Sequence, residues 1–294
     1  MPAIGIDIGG TLIKAAAFSP DGVELASFTM PTDDAEGRNP PAFAVNVRSL
    51  VAQLEAAAGR ASSIGIAAPG LADEEGRAIS YMPGRMHGLE GFDWPEWLGR
   101  DAHVLNDAHA ALLGEVWQGA ARGLQHAVLI TLGTGVGGAI WSGGRLVRGH
   151  IGRAGHIGHM SLNPYGRPTI ANAPGGLEDW IGNHNISERS DGRFASTHEL
   201  IAAFEAGDGF ATEVWKKSIR ALACGISSLV NILDPEAVLI GGGIAKAGRA
   251  LFIPLQQALD EVEWRPGGAQ VKLLAAQLGE RAGTYGAAWQ AMLA

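Results

Sequence analysis

The sequence has little of what marks secreted, membrane and nucleic-acid-binding proteins. Its one cysteine, Cys224, lies in an apolar stretch with helical spacing, which excludes a disulfide framework and a Cys-x-x-Cys metal site. It has no block of Lys or Arg and a net charge of −8, which disfavours nucleic acid and anionic membranes as partners. No apolar run is long enough to span a bilayer, and the first residues show no targeting segment. We therefore expect a cytoplasmic protein with no membrane or nucleic-acid partner.

Glycine is the residue type in excess, with 43 among 294 residues. This share is about twice the usual value of roughly 7%. The composition is otherwise that of a globular protein, and the chain is long enough for two domains that each bury a core. An excess of glycine suits a protein with several turns that approach phosphate groups closely.

The first glycine turn joins two predicted strands, residues 4–8 and 12–18. Backbone N–H groups at Gly9 and Gly10 could approach a phosphate, and Thr11 adds a hydroxyl donor. Asp7 precedes the turn, where its carboxylate would repel a bound phosphate unless a cation lay between them. The stretch therefore predicts a site for a metal–nucleotide complex, and an ordinary Gly-Gly hairpin is the alternative.

The same order of elements returns in the second half of the chain. A predicted strand at 128–132 is followed by a turn that contains Gly133, Thr134 and Gly135, and then by strands at 137–141 and 145–148. The other predicted strands are residues 23–30, 64–67, 104–105, 237–240 and 270–275, and the principal predicted helices are residues 40–58, 108–120, 196–206, 210–233, 251–262 and 282–293. This pattern predicts an α/β fold with a duplicated sheet and a ligand cleft between two domains, residues 1–117 with 282–294 and residues 118–281.

A Gly-x-Gly-x-x-Gly pattern at residues 133–138 is not a dinucleotide fingerprint. That fingerprint requires a helix directly after the glycines, so that the helix N-terminus faces the pyrophosphate. Here the glycines lead into a predicted strand. A third glycine turn, residues 241–243, follows a strand and precedes a helix, so it could bind phosphate or let adenine lie flat on the backbone.

Two groups of polar residues are candidates for chemistry. Asn106 and Asp107 follow a predicted strand, at the end where ligands bind in open α/β sheets. The Asp107 carboxylate could accept the proton of a substrate hydroxyl that attacks phosphorus, or it could cap the next helix. His156, His159 and Glu178 form the other group, for which sugar binding or loop scaffolding fits better than zinc, since a zinc site needs more ligands.

Taken together, the motifs resemble the ROK family of sugar kinases, repressors and open reading frames. They are Asp7-Ile-Gly-Gly-Thr11, Ala68-Pro-Gly70, Asn106-Asp107, the glycine turn at 133–138, Gly155-x-x-Gly-His159, Gly176-Leu-Glu178 and Gly241-Gly-Gly243. The resemblance covers nearly the whole chain. It implies two actin-like (ribonuclease-H-like) domains and the transfer of the γ-phosphoryl group of ATP, with Mg²⁺, to a hydroxyl of a sugar or sugar-like polyol.

The resemblance also implies residue roles. Asp107 is the expected base, and the expected substrate-binding residues are Gly70, Asn106, His156, His159 and Glu178. Asp7 is expected to contact Mg²⁺ through water or phosphate. The expected nucleotide-binding residues are Asp7, Gly9, Gly10, Thr11, Lys14, Gly133, Thr134, Gly135, Gly241, Gly242 and Gly243.

Two departures from the family pattern limit what can be carried over. The family usually has Gly-Glu-x-Gly-His, and His156 stands where its sugar-binding glutamate belongs. Thr169, Ala171 and Gly176 stand at cysteine positions of the family's zinc signature, so no structural zinc is expected. The usual family substrates, such as glucose and N-acetylglucosamine, therefore cannot be assumed.

Three functions fit these motifs. The first is an ATP-dependent sugar kinase, expected to be a homodimer. The alternative is a non-catalytic sugar- or nucleotide-binding regulator of the same fold, although such regulators carry an N-terminal helix-turn-helix for which the start of this chain leaves no room. The third is an actin-like or chaperone-like nucleotide switch, which needs no pair such as Asn106 and Asp107.

Overall fold

The structure is a computed structural model that describes residues 1–34, 37–84 and 86–294. The chain forms two compact units. Unit 1 contains Met1–Gly123, Arg148–Ala154 and Gln277–Ala294, and unit 2 contains Leu124–Val147 and Gly155–Ala276. The domain limits proposed from the sequence, 1–117 with 282–294 and 118–281, stay a prediction.

Strands and helices alternate along the described chain. The strands are β1 (Ala3–Ile8), β2 (Leu12–Phe18), β3 (Glu24–Pro31), β4 (Ser63–Ala68), β5 (Leu71–Ala72), β6 (Ile79–Tyr81), β7 (His103–Asn106), β8 (Ala127–Leu132), β9 (Val136–Ser142), β10 (Arg145–Leu146), β11 (Ala237–Gly241) and β12 (Lys272–Ala275). The α-helices are α1 (Ala42–Ala58), α2 (Trp94–Leu98), α3 (Asp107–Gln118), α4 (Leu177–Ile181), α5 (Ile186–Arg189), α6 (Thr197–Glu205), α7 (Gly209–Leu233), α8 (Arg249–Val262) and α9 (Ala282–Leu293).

Unit 1 contains a five-stranded sheet in the order β3-β2-β1-β4-β7. The first three strands are antiparallel neighbours, and β1, β4 and β7 run parallel to one another. Antiparallel strands need only short turns, which the glycine turn at 9–10 and the Ser19-to-Gly22 turn supply, while parallel strands need longer crossovers. The carboxyl ends of β1, β4 and β7 therefore lie at one edge of the sheet.

Unit 2 repeats this arrangement in a sheet of order β10-β9-β8-β11-β12. Again the first three strands are antiparallel and the last three parallel. The duplication predicted from the two strand–turn–strand patterns is therefore confirmed, and so is the α/β fold class.

The third strand of the second repeat is shorter than predicted. It was expected over residues 145–148, but β10 ends at Leu146. Arg148 belongs to unit 1, where its guanidinium donates a hydrogen bond of 2.6 Å to the carbonyl oxygen of Asp73. This interaction takes the chain away from the ladder of unit 2.

Helix α3 also ends early, at Gln118 rather than residue 120, because of the buried carboxylate of Glu115. That carboxylate accepts hydrogen bonds from the N–H groups of Ala120, Gln277 and Leu278 at 2.7, 2.9 and 2.8 Å. Three donors offset the cost of removing a carboxylate from water. Glu115 thus fixes the end of α3 to the segment that leads into α9.

Helix α9 lies against the sheet of unit 1 at backbone distance, because glycines face it. A Cβ atom at Gly5 would lie 1.8 Å from the carbonyl oxygen of Thr284, and one at Gly65 would lie 1.8 Å from that of Ala287. A side chain at either position would therefore force the helix and the sheet apart. The glycine excess therefore has a packing cause in addition to turns.

Each unit has its own apolar core. The core of unit 1 includes the branched residues of β1 and β4 and the inner face of α1, and that of unit 2 includes β8, β11 and the inner faces of α7 and α8. Within the described residues, no helix combines the length and apolar character needed to cross a membrane.

Candidate functional site

Unit 1 brings four of the predicted site residues to the carboxyl edge of its sheet. Asp7 is the penultimate residue of β1, Gly70 follows β4, and Asn106 ends β7, with Asp107 directly after it. The side chain of Asn106 donates a 2.9 Å hydrogen bond to the carbonyl oxygen of Gly70. The parallel strands thus place these residues where ligands bind in open α/β sheets.

Asn106, and not Asp107, caps helix α3. Oδ1 of Asn106 accepts hydrogen bonds from the N–H groups of Ala108 and His109 at 2.9 and 3.2 Å, and Asn106 is buried. Asp107 is the first residue of the helix. The interpretation of Asp107 as the cap is therefore wrong, since the preceding side chain already fills that position. The Asn106 amide thus has a structural role, since it caps α3 and binds the Gly70 carbonyl, and the sequence did not indicate this role.

The carboxyl of Asp107 can be reached by solvent, yet protein atoms crowd it. This burial raises its pKa, while hydrogen bonds from the Ala108 N–H and the Asn106 amide lower it. The net effect is a pKa above the ordinary value. A carboxylate with this environment is accessible and is a better proton acceptor than a free aspartate.

The pKa of Asp7 is raised to about 7, first by burial and second by the negative charge of Asp107. Lys14, the partner of Asp7 across the β1–β2 ladder, acts in the opposite direction. Two carboxyl groups that repel one another in a poorly solvated place favour a cation beside them. Hard divalent cations such as Mg²⁺ prefer oxygen ligands of this kind, so the residues fit such an ion.

The first glycine turn is closed by its own backbone. The N–H of Gly9 donates to the carbonyl oxygen of Leu12 at 3.0 Å, and the Thr32 hydroxyl donates to the carbonyl oxygen of Gly9 at 2.6 Å. Gly10 and Thr11 are exposed at the tip. Lys14 lies 3.3 Å from a carboxylate oxygen of Glu280, so its charge is partly compensated within unit 1.

Unit 2 contains a cavity of about 550 Å³ beside its own glycine turns. Gly133, Thr134 and Gly243, all predicted nucleotide-binding residues, line it. The other lining residues are Asn183, Thr197, His198, Ile201, Ala202, Glu205, Ile244, Lys246 and Ala247. The cavity thus combines an apolar wall from α6 and the segment after β11 with several polar groups, as small-molecule sites do.

Of the three glycines at 241–243, the cavity is lined by Gly243. Gly241 ends β11 and is buried. Gly242 has a φ of +85°, and a Cβ atom there would lie 2.3 Å from the carbonyl oxygen of Leu132. Gly242 therefore permits a close approach of two backbone segments. Gly135 likewise lies against Glu178, since its Cβ would be 2.9 Å from Oε2 of that residue.

Thr197 is a cavity residue that the sequence analysis missed. It is 1% exposed, and its hydroxyl has no hydrogen-bond partner among the described residues. The sequence did predict a helix from residue 196, and Oγ of Ser196 caps α6 by accepting a hydrogen bond from the Glu199 N–H at 3.2 Å. Nothing in the sequence said that this end of the helix faces a cavity.

The second predicted polar group also lies in unit 2. Nδ1 of His159 is 3.2 Å from Oε1 of Glu178, an ion-pair distance, although the two atoms are not aligned as a hydrogen bond. Contact with Glu178 raises the pKa of His159, and the same contact lowers that of Glu178. The Val136 N–H adds to the effect on Glu178. The rings of His156 and His159 are nearly parallel, with centroids 6.3 Å apart.

Comparisons with known proteins agree with this arrangement. The ROK family model matches residues 3–293. The glucokinase of Halalkalibacterium halodurans is 30% identical, over 97% of this chain and 93% of that protein. The crystal structure of a ROK hexokinase from Thermus thermophilus is 32% identical with a TM-score of 0.88, over 100% of this chain and 98% of that one.

A further solved structure was determined with ligands. It is a ROK family glucokinase from Streptomyces griseus in complex with glucose and AMPPNP, 28% identical, with a TM-score of 0.80 and full coverage of both chains. The match of a family model over almost the entire sequence is decisive for membership. This chain belongs to the ROK family.

Proposed function

We propose that this protein is an ATP-dependent sugar kinase, which transfers the γ-phosphoryl group of ATP to a hydroxyl of a sugar or sugar-like polyol. The observation that carries the proposal is Asp107, a solvent-accessible carboxylate with a raised pKa at the carboxyl end of β7. Family membership supports it, since the similar proteins named above are a glucokinase and a hexokinase.

Asp107 is the proposed general base. As the sugar hydroxyl attacks phosphorus its proton becomes more acidic, and a carboxylate within hydrogen-bond reach accepts it. A raised pKa makes the carboxylate a stronger proton acceptor than an ordinary aspartate. Asn106 holds the Gly70 carbonyl and donates to Asp107, so we assign it the positioning of that base beside the substrate.

His159 and Glu178 are the proposed sugar-binding residues of unit 2. An ionised carboxylate can accept hydrogen bonds from two hydroxyl groups, and the second ring nitrogen of His159 remains available for another. The pair keeps Glu178 ionised, because contact with His159 lowers its pKa. His156 stacks beside His159 and is the proposed determinant of which sugar binds.

The cavity of unit 2 is the proposed nucleoside site. Its apolar lining from Ile201, Ala202 and Ile244 suits a base, and Thr134 and Lys246 offer donors. The exposed tip at Gly10 and Thr11 is proposed to contact phosphate. Asp7 would hold Mg²⁺ through water or phosphate, and the ion would neutralise charge on the phosphate oxygens.

The substitution Asp107→Asn tests the proposal. It keeps the shape of the side chain but removes the proton acceptor, so we expect kcat to fall by about 10²–10⁴-fold. Folding, followed by circular dichroism, and sugar binding, followed by thermal shift, should persist. Asp101→Asn, an exposed aspartate that precedes β7, is the matched control. Normal turnover in Asp107→Asn would contradict the assignment, and wild-type protein that binds sugar and nucleotide without turnover would favour the regulator.

A further inference from the structure

In unit 2, residues 161–176 form a loop, here called the 161–176 loop, that connects His159 to Glu178. Its two arms pair like a short hairpin. The paired residues are Ser161 with Gly176 and Pro168 with Pro174, and hydrogen bonds join Leu162 N–H to Gly175 O (3.0 Å), Gly175 N–H to Arg167 O (2.8 Å) and Ser161 Oγ to Pro174 O (2.6 Å). The loop therefore brings its first and last residues together.

Thr169 closes the tip of this loop. Its hydroxyl accepts hydrogen bonds from the N–H groups of Ala171 and Ala173, both at 3.2 Å. Its backbone N–H donates to the carbonyl oxygen of Ala173 at 2.8 Å, and its own carbonyl accepts from Asn172 at 2.9 Å. Thr169 is 9% exposed, although it lies in a loop. One buried side chain thus organises the whole tip.

The methyl group of Thr169 also reaches the start of α4. A Cβ atom at Gly176 would lie 2.4 Å from Cγ2 of Thr169, so the two residues are in direct contact. Gly176 is the residue before α4, and Glu178 is the second residue of that helix. The Leu177 N–H donates to the carbonyl oxygen of Met160 at 2.9 Å, which ties this helix start to the residue after His159.

The residues of the loop do not fit a zinc ion. Zinc in structural sites takes four sulfur or nitrogen ligands. Ala171 and Gly176 have no ligand atom, and the hydroxyl of Thr169 is already occupied by two backbone donors. The rigidity that a bound metal would give this loop must therefore come from hydrogen bonds and packing.

We propose that Thr169 is a positioning residue for the pair His159 and Glu178, and that its hydroxyl and methyl group fix the 161–176 loop without a metal. The hydroxyl fixes the tip of the loop by hydrogen bonds, and the methyl group packs against Gly176. Gly176 in turn sets the start of α4 and with it the position of Glu178. The kinetic part of this proposal rests on the proposed function, because it assumes that the pair binds sugar.

Amide hydrogen exchange tests the proposal without any assay of activity. In the wild type the N–H groups of Ala171, Ala173 and Leu177 should exchange slowly, because each donates a hydrogen bond. Thr169→Val keeps the shape and the methyl group but removes the hydroxyl, so the amides of Ala171 and Ala173 should exchange at least about tenfold faster. Thr169→Ser should retain protection at Ala171 and Ala173. Ile170→Ala is the control, since that side chain in the same loop is 90% exposed.

Steady-state kinetics test the effect on the substrate. We expect Thr169→Val to raise the KM for the best sugar by about tenfold, with kcat changed less than about threefold, because binding geometry is lost while the base is untouched. Thr169→Ser, which keeps the hydroxyl but lacks the methyl group against Gly176, should restore the KM only in part. If no sugar is phosphorylated by the wild type, the proposed function fails, and the exchange data still decide the role of Thr169.

Two results would overturn the proposal. The first is hydrogen exchange that disagrees with the contacts: fast exchange at Ala171 and Ala173 in the wild type, or unchanged exchange at these two amides in Thr169→Val. The second is one zinc per chain by elemental analysis, with a Tm that falls in chelator. We expect no stoichiometric zinc and the same Tm with and without chelator.

Discussion

Nδ1 of His159 lies 3.2 Å from Oε1 of Glu178, and the two side chains come from opposite ends of the 161–176 loop. The carboxylate side of the pair is largely buried, while about a third of the His159 side chain is exposed. The pair therefore joins a partly exposed histidine to a buried carboxylate in unit 2.

The His159–Glu178 pair predicts a pH dependence of stability. The pKa of His159 is raised above 6.5, so its contribution is present below pH 6.5 and is lost as pH rises through the raised value. The pKa of Glu178 is lowered below 4.5, so its contribution is present above pH 4.5 and is lost as pH falls through the lowered value. The pair therefore stabilises the fold most between pH 4.5 and pH 6.5.

We expect Glu178→Gln to lower the pKa of His159 and to reduce the free energy of unfolding by roughly 0.5–1 kcal/mol within that window, since solvent screens the exposed histidine. NMR titration of the imidazole and urea unfolding at several pH values measure the two effects. Glu188→Gln, which alters an exposed ion pair with Arg167 in the same unit, is the control. An unchanged titration of His159 in Glu178→Gln would contradict this prediction.

Substitution of Thr197 is predicted to weaken the binding of ATP without changing the binding of the sugar. Thr197→Val removes a buried hydroxyl that has no partner among the described residues, so stability should be equal or slightly higher. If bound nucleotide uses the hydroxyl, the KM for ATP should rise by about 3–10-fold while the KM for the sugar stays constant. Thr197→Ser is the control. Identical KM values for ATP in the three proteins would remove Thr197 from the nucleotide site.

His156 is predicted to set sugar specificity. A neutral histidine offers one donor and one acceptor on a rigid ring, whereas a glutamate offers acceptors only and adds a negative charge. We therefore expect glucose to be a poor substrate, and we expect His156→Glu to shift kcat/KM towards glucose relative to the best sugar of a panel. The ratio of kcat/KM values in both proteins is the measurement. A wild type that already prefers glucose, or a ratio that does not move, would show that position 156 does not determine specificity.

Replacement of Gly65 by alanine is predicted to cause a large loss of stability. Gly65→Ala would place a methyl group 1.8 Å from the Ala287 carbonyl oxygen, and neither backbone segment can move without disturbing the sheet or α9. We expect a loss of about 2–4 kcal/mol, the upper range for overpacked cores. Gly209→Ala, at the start of α7 with open space around the new Cβ, is the matched control and should change little. If Gly65→Ala and the wild type unfolded at comparable urea concentrations, this packing argument would be contradicted.

Local patterns were sufficient for the elements and for several candidate residues. The limits of β2 and α9 were predicted to the residue, because apolar periodicity and flanking turns are properties of neighbouring residues. Two of the ends that were predicted wrongly, at β10 and α3, depend on side chains that bind distant segments. Arg148 binds near Asp73, and Glu115 binds Gln277 and Leu278. No local pattern records such partners.

The sequence by itself determined the α/β class, the duplicated order of strands, the family, and Asp107 as the carboxylate at a strand end. It could do so because strand periodicity, glycine turns and motif spacing are written in consecutive residues. Tertiary structure alone decided that Asn106 caps α3 and that Gly242 serves a backbone contact while Gly243 lines the cavity. It also decided that Thr197 and Thr169 are buried, the first with no hydrogen-bond partner for its hydroxyl among the described residues and the second with two backbone donors. Each of these outcomes depends on which distant atoms a side chain meets after folding, and that is settled by packing.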